Sequence, residues 1–186
     1  MKRFVAILIV VGALSLTVSA TPIFWTLQSV SFDDTGTASG NFTYDADAGA
    51  NGTYSSINIT TTAGSSLPGT TYTFFCDGVV NCTGLVPNST EVLFLNTDPS
   101  LSLTGTLGLA FGFNSALTDA GGVVSLGGFI EGTCTDKVCS SETTPERNLV
   151  SGDVSGQAPP VPEPSTLLLA GTAALAFGFR RLRKQA

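Results

Sequence analysis

The chain has 186 residues, 42% hydrophobic and only 12% charged, with mean hydropathy +0.32 and no histidine. That length holds one domain plus targeting segments. A net charge of −6 with eight Lys and Arg excludes a nucleic-acid binder that works by neutralising phosphates, and the missing histidine removes the commonest general base and metal ligand.

Met1 to Ala20 reads as a secretory signal peptide. Lys2 and Arg3 form its positive start, Phe4 to Val18 is uncharged and mostly apolar, and Val18-Ser19-Ala20 offers small residues to signal peptidase. Cleavage is expected after Ala20. Fifteen helical residues reach about 22 Å, short of the ~30 Å hydrocarbon core, so this segment exports the chain rather than anchoring it.

The stretch 21–158 is the expected body of the protein. It carries thirteen Asp and Glu against Lys137 and Arg147, a net charge of −11, and Ser and Thr supply 38 of its 138 residues. That composition favours extended structure and turns over helix. Thr37 to Tyr44 puts Phe42 and Tyr44 on one face, Ile57 and Ile59 alternate with Asn58 and Thr60, and Val92 to Leu95 is apolar on both sides, as in a central strand. From Leu101 to Phe113 the odd positions are mainly Leu and Phe while the even ones are Ser, Thr, Gly and Ala. This predicts a strand of about 43 Å with one buried face and a bend near Gly105 or Gly108. Turn signals separate the runs: Asp33-Asp34-Thr35-Gly36, Asp45 to Gly49, Asn51-Gly52, Leu67-Pro68-Gly69, Asp98-Pro99 and Asp119 to Gly122. The pattern predicts an all-β fold, an antiparallel β-sandwich or jelly roll of about eight strands. A signal helix before it and a short transmembrane helix after it complete the expected architecture.

Candidate chemistry in 21–158 is sparse. In an exported domain, Cys76, Cys82, Cys134 and Cys139 are expected to form disulfides, and the spacing favours the local pairs Cys76–Cys82 and Cys134–Cys139. A zinc site lacks histidine and tight spacing. Asp45-Ala46-Asp47-Ala48-Gly49 begins like a calcium loop, but Ala50 and Ser56 stand where such a loop needs Gly and Glu. A turn explains it better, with weak calcium binding by Asp33, Asp34, Asp45 and Asp47 as the competing reading. Thirteen acids guarantee some close pair, so their number is no argument for glycoside hydrolysis. Thr-x-Thr pairs begin at Thr35, Thr60, Thr71, Thr104 and Thr133, steps too irregular to stack as the ranks of an ice-binding solenoid. No catalytic residue, metal site or cofactor is expected.

The C-terminal segment, 159–186, is the most distinctive. Ala158-Pro159-Pro160-Val161-Pro162-Glu163-Pro164 cannot begin a regular helix. Ser165 to Phe179 is apolar or small throughout, and Arg180-Arg181-Leu182-Arg183-Lys184 follows directly. Those basic residues hold the terminus in the cytoplasm and leave the segment before Pro162 outside, the orientation the signal peptide also implies. A span of about 22 Å is marginal, a temporary stop rather than a lasting anchor. A GPI signal would end in its apolar stretch, and a sortase signal would need a Leu-Pro-x-Thr-Gly motif that is absent.

Pro162-Glu163-Pro164, the short apolar run and the basic end together resemble a PEP-CTERM sorting tail, also known as an ice-binding-protein C-terminal domain. The resemblance covers about 25 of 186 residues. It implies recognition by exosortase, a membrane-embedded cysteine transpeptidase-like enzyme of bacteria that make exopolysaccharide, followed by release to the cell surface or matrix. Pro162, Glu163 and Pro164 would be the recognition element, and Arg180, Arg181, Arg183 and Lys184 the cytoplasmic latch. The expected protein is not an enzyme but a structural component of exopolysaccharide or biofilm. Its expected partners are signal peptidase, exosortase, the inner membrane in transit and exopolysaccharide, with no nucleic acid. The alternative is a carbohydrate-binding module, for which Trp25, Tyr44, Tyr54 and Tyr72 are the Trp and Tyr candidates.

Overall fold

Alternation in a Ser- and Thr-rich chain produces strands, and here all the pairings between them are antiparallel. The computed structural model describes residues 21–78, 87–128 and 130–157. The expected signal helix and the expected membrane helix lie outside them. The described strands are β1 (Ile23–Phe32), β2 (Thr37–Asp45), β3 (Thr53–Thr61), β4 (Thr71–Tyr72), β5 (Phe74–Phe75), β6 (Glu91–Leu95), β7 (Leu107–Phe113), β8 (Gly121–Gly128), β9 (Ile130–Cys134) and β10 (Glu142–Gln157). No helix occurs among the described residues.

The strands lie in the order β4-β3-β2-β1-β10-β8-β7-β6-β5, with β9 against β10 and β7. Two strands change partners along their length. β10 pairs with β9 over Glu142–Asn148 and with β1 over Leu149–Gln157. β8 pairs with β10 through Ser125 and with β7 from Leu126. The hydrogen-bonded path therefore doubles back, and its halves meet through their side chains. Phe42 on β2 lies 5.4 Å from Phe94 on β6 and 6.2 Å from Phe113 on β7, and Tyr54 on β3 stands edge-on to Phe94 at 5.9 Å. This aromatic cluster, with Ile23, Trp25, Ile59 and Val154, forms the main core.

The structure corrects two expectations. Ten strands are described rather than about eight: the two-residue strands β4 and β5 are too short to show a period, and β10 contains Pro145 and a charged run. The predicted strand from Leu101 to Phe113 begins only at Leu107. Gly105 takes φ +78° and donates to the Cys134 carbonyl at 2.9 Å, while Thr106 bonds back to Leu103 through both its N–H and its hydroxyl. This is a turn, near the predicted bend. Both faces of β7 are buried, because its small-residue face is covered too. Ala110 packs there in a second cluster with Cys76, Leu93, Leu95, Leu103, Cys134 and Cys139. Phe42 and Tyr44, and Ile57 and Ile59, point inward as their alternation predicts.

Phe42 joins the two halves, so Phe42→Ala is expected to cost about 3–5 kcal/mol. Asn58→Ser on the exposed face of β3 should stay within about 0.5 kcal/mol. Urea unfolding of the two variants checks the difference.

Candidate functional site

A charged cluster lies inside the domain. Arg147 on β10 and Glu131 on β9 are fully buried, and Asp34 in the β1–β2 turn is 5% exposed. Arg147 Nε donates to Glu131 Oε2 at 2.9 Å, and Nη2 stands 2.7 Å from the same oxygen. Nη1 donates to the Thr62 carbonyl at 2.9 Å and faces both Asp34 oxygens at 3.4 Å. Glu131 Oε1 accepts from the Tyr72 hydroxyl at 2.7 Å and the Thr61 hydroxyl at 3.1 Å. The guanidinium lies 4.4 Å from the centre of the Phe32 ring, a cation–π contact. One cation, two carboxylates and two hydroxyls thus join the β1–β2 turn, β3, β4, β9 and β10.

Local sequence sets this geometry. Asp34 Oδ1 accepts from the Gly36 N–H at 2.9 Å and Oδ2 from the Ser66 N–H at 3.2 Å. A Cβ on Gly36 would lie 2.0 Å from Arg147 Nη1, and one on Gly64 would lie 2.1 Å from Asp34 Oδ2. Both positions need glycine because the ions occupy the space a side chain would take. Burial by itself raises the Asp34 pKa, but the Gly36 and Ser66 N–H groups and Arg147 outweigh it and hold the carboxyl below its ordinary 3.8.

The four aspartates considered for calcium are not brought together. Asp33 and Asp34 precede β2, and Asp45 and Asp47 lie at or beyond its far end, so nine residues, about 30 Å of strand, separate the pairs. Asp33 accepts from the Asn148 side chain at 2.9 Å and its backbone at 3.0 Å, bonds that lower its pKa. Asp45 accepts from the Asp47 N–H at 3.1 Å and so closes its own turn. Among the described residues, no three His, Cys, Asp or Glu side chains gather as metal ligands. Cys134 and Cys139 form the predicted local disulfide, with Cα atoms 4.7 Å apart. Cys76 is buried and disulfide-bonded, and Cys82 lies outside the described residues.

The alternative of a carbohydrate-binding module loses its Trp and Tyr residues. Trp25 and Tyr72 are fully buried, and Tyr44 and Tyr54 are 2% and 3% exposed. Tyr44 and Tyr54 donate to backbone carbonyls at Asn51 and Asn88, and Tyr72 serves Glu131. Aromatic rings on inward strand positions build the core here. The sequence reading missed the ion centre, although a signal existed: Arg147 and Glu131 are charges set among strand-forming residues, and Arg147 is the only arginine in 21–158.

The ends of the described sheet lie side by side. β1 and β10 pair antiparallel with Phe24 opposite Gln157, which places Thr21 and the last described residue at one end of two adjacent strands. Past that point, residues 160–184 match the family model of the PEP-CTERM protein-sorting motif. The chain carries a PEP-CTERM tail. The matched stretch contains Pro162, Glu163, Pro164 and the basic residues Arg180, Arg181, Arg183 and Lys184, all outside the described residues, as is Ala20. The motif makes the chain an exported protein targeted to exosortase and directed to the cell surface. No curated protein and no solved structure matches the chain significantly.

Two outcomes follow from the ion centre. Glu131→Gln is expected to destabilise the protein by about 3–5 kcal/mol, because Arg147 would remain buried without its nearest counter-charge; urea unfolding measures it. Asp33 and Asp34 both have folded pKa values below 3.8. Their stabilisation is therefore complete above the unfolded value and is lost as pH falls through the folded ones. Melting temperature should hold steady down to about pH 4–5 and decline below it, and Asp34→Asn should flatten that decline.

Proposed function

We propose that this is a non-enzymatic surface or matrix protein, a β-sandwich body held temporarily at the inner membrane by its C-terminal tail, released by exosortase, and built into exopolysaccharide or biofilm. The observation that carries this reading is the pairing of Phe24 with Gln157. Partners in an antiparallel pair are about 5 Å apart. The signal segment and the PEP-CTERM tail therefore leave the body from the same end. Seven residues, 158–164, separate Gln157 from the apolar run and reach at most about 25 Å. The body can complete its sheet close to the bilayer while the tail remains inserted, and removal of the tail takes nothing from the strands.

The charge distribution supports the structural role. Arg147 is internal and paired, which leaves Lys137 as the exposed base against an acidic surface. Such a surface keeps the body soluble and dispersed among like-charged neighbours.

Glu163→Ala, and separately replacement of Arg180, Arg181, Arg183 and Lys184 by alanine, should leave the protein in the inner-membrane fraction. Fractionation and surface labelling of producing cells read the outcome. Undiminished delivery of both variants to the surface would overturn the sorting mechanism.

A further inference from the structure

The outward face of the sheet β4-β3-β2-β1-β10-β8 differs from the rest of this acidic domain. Its strand positions carry mostly Ser, Thr, Asn and Gln side chains, with Phe24 and Val123 as exposed apolar ones; among the described residues, the only charges are Asp45, at the end of β2, and Asp153. Asp153 accepts from the Ser125 hydroxyl. Six strands at about 4.8 Å spacing make a face roughly 24 Å across. On its two middle strands, toward the end where Thr21 and Gln157 lie, Phe24, Thr26 and Gln28 of β1 and Ser155 and Gln157 of β10 line a shallow depression of about 350 Å³. Phe24 is 53% exposed. Gly121, opposite Gln157 on β8, adds no side chain to that row and leaves it open.

We propose that this depression binds a short run of neutral hexopyranose units from a polysaccharide. Phe24 offers an aromatic face to the apolar C–H side of a sugar ring, and Gln28, Gln157, Thr26 and Ser155 supply donors and acceptors for its hydroxyls. A few placed polar groups around one apolar platform are the usual composition of a small-molecule site. From Phe24 to Gln28 the strand runs about 14 Å, room for a short oligosaccharide. Among the described residues the lining holds no cation for a uronate or sulfate, and the net negative charge of the body disfavours anionic chains, so the ligand is an uncharged glycan. The site lies on different residues from the buried Trp and Tyr side chains. It rests on the matrix reading above only for the setting in which such a glycan is met.

The test uses the protein recovered from the surface of producing cells, titrated calorimetrically with cellohexaose, mannohexaose and, as the anionic contrast, hexagalacturonate. Binding of at least one neutral hexasaccharide is expected. Phe24→Ala should weaken it about tenfold or more, Gln28→Ala and Gln157→Ala several-fold, and Phe24→Tyr should retain it. Thr60→Ala, away from the depression, should have no effect. Phe24→Ala should leave the melting temperature unchanged, and Phe24→Tyr and Gln157→Ala carry the test if it does not. The proposal is overturned by no binding to either neutral sugar, by binding indifferent to Phe24, by preference for the galacturonate, or by self-association of the protein that Phe24→Ala abolishes. Surface delivery of Phe24→Ala should be normal, and detergent-extracted Glu163→Ala protein should still bind sugar, so failure of sorting and failure of binding are read separately.

Discussion

The arginine inside the domain is the constraint around which the rest of the fold is arranged. A guanidinium removed from water is tolerable only if its charge is met and most of its N–H groups find partners. Arg147 obtains this from Glu131, Asp34 and the Thr62 carbonyl, which take its Nε and Nη1 hydrogen bonds, while Nη2 stands in ionic contact with Glu131. Those partners come from three distant parts of the sequence, so the ion cannot be satisfied until β9 and β10 pair and the β1–β2 turn closes over them. Hydrophobic contact alone would allow Phe42, Tyr54 and Phe94 to slide past one another with modest loss. A buried ion pair with directional bonds admits far fewer registers. The cluster also sits on the first half of β10, just before that strand leaves β9 for β1 and β8. It pins the crossing where the hydrogen-bonded path turns from one half of the fold to the other.

What could be read from the sequence follows from the range of each interaction. Alternation is local, so it puts Phe42 with Tyr44 and Ile57 with Ile59 on the correct faces. Local loop closure was legible too, and Cys134–Cys139 formed as its spacing favours. The burial of both faces of β7 was not legible, because Gly108, Ala110 and Gly112 read as a solvent face until Leu103 and the Cys134–Cys139 loop are known to cover them. The ion centre was missed for the same reason: Asp34 is separated from Arg147 by 113 positions, and nothing near either residue announces the other. Asp33-Asp34 reads as a turn. That is correct for the backbone, but the two neighbours have different tasks, one capping Asn148 at the surface and the other neutralising Arg147 within.

The aromatic residues show how side-chain chemistry misleads when position is unknown. Trp and Tyr are the side chains a glycan site is expected to use, yet here their rings fill the core, and the Tyr hydroxyls donate to the Asn51 and Asn88 carbonyls and to Glu131. Phenylalanine has no polar handle and should be the more readily buried, yet Phe24 is left half exposed. The parity of β1 accounts for the exchange. Ile23, Trp25 and Leu27 point inward, so Phe24, Thr26 and Gln28 must point outward. Had the register slipped by one residue, Trp25 would stand on the surface and Phe24 in the core.

Register also connects the body to its delivery signals. β1 is the first strand to emerge during export and β10 the last, yet they are neighbours in the sheet. The contact that completes the sheet is thus among the longest-range in the chain, and it cannot form until the whole body is across the membrane. Closing a loop of that length costs more entropy than forming a local hairpin, and long-range pairing of this kind slows folding.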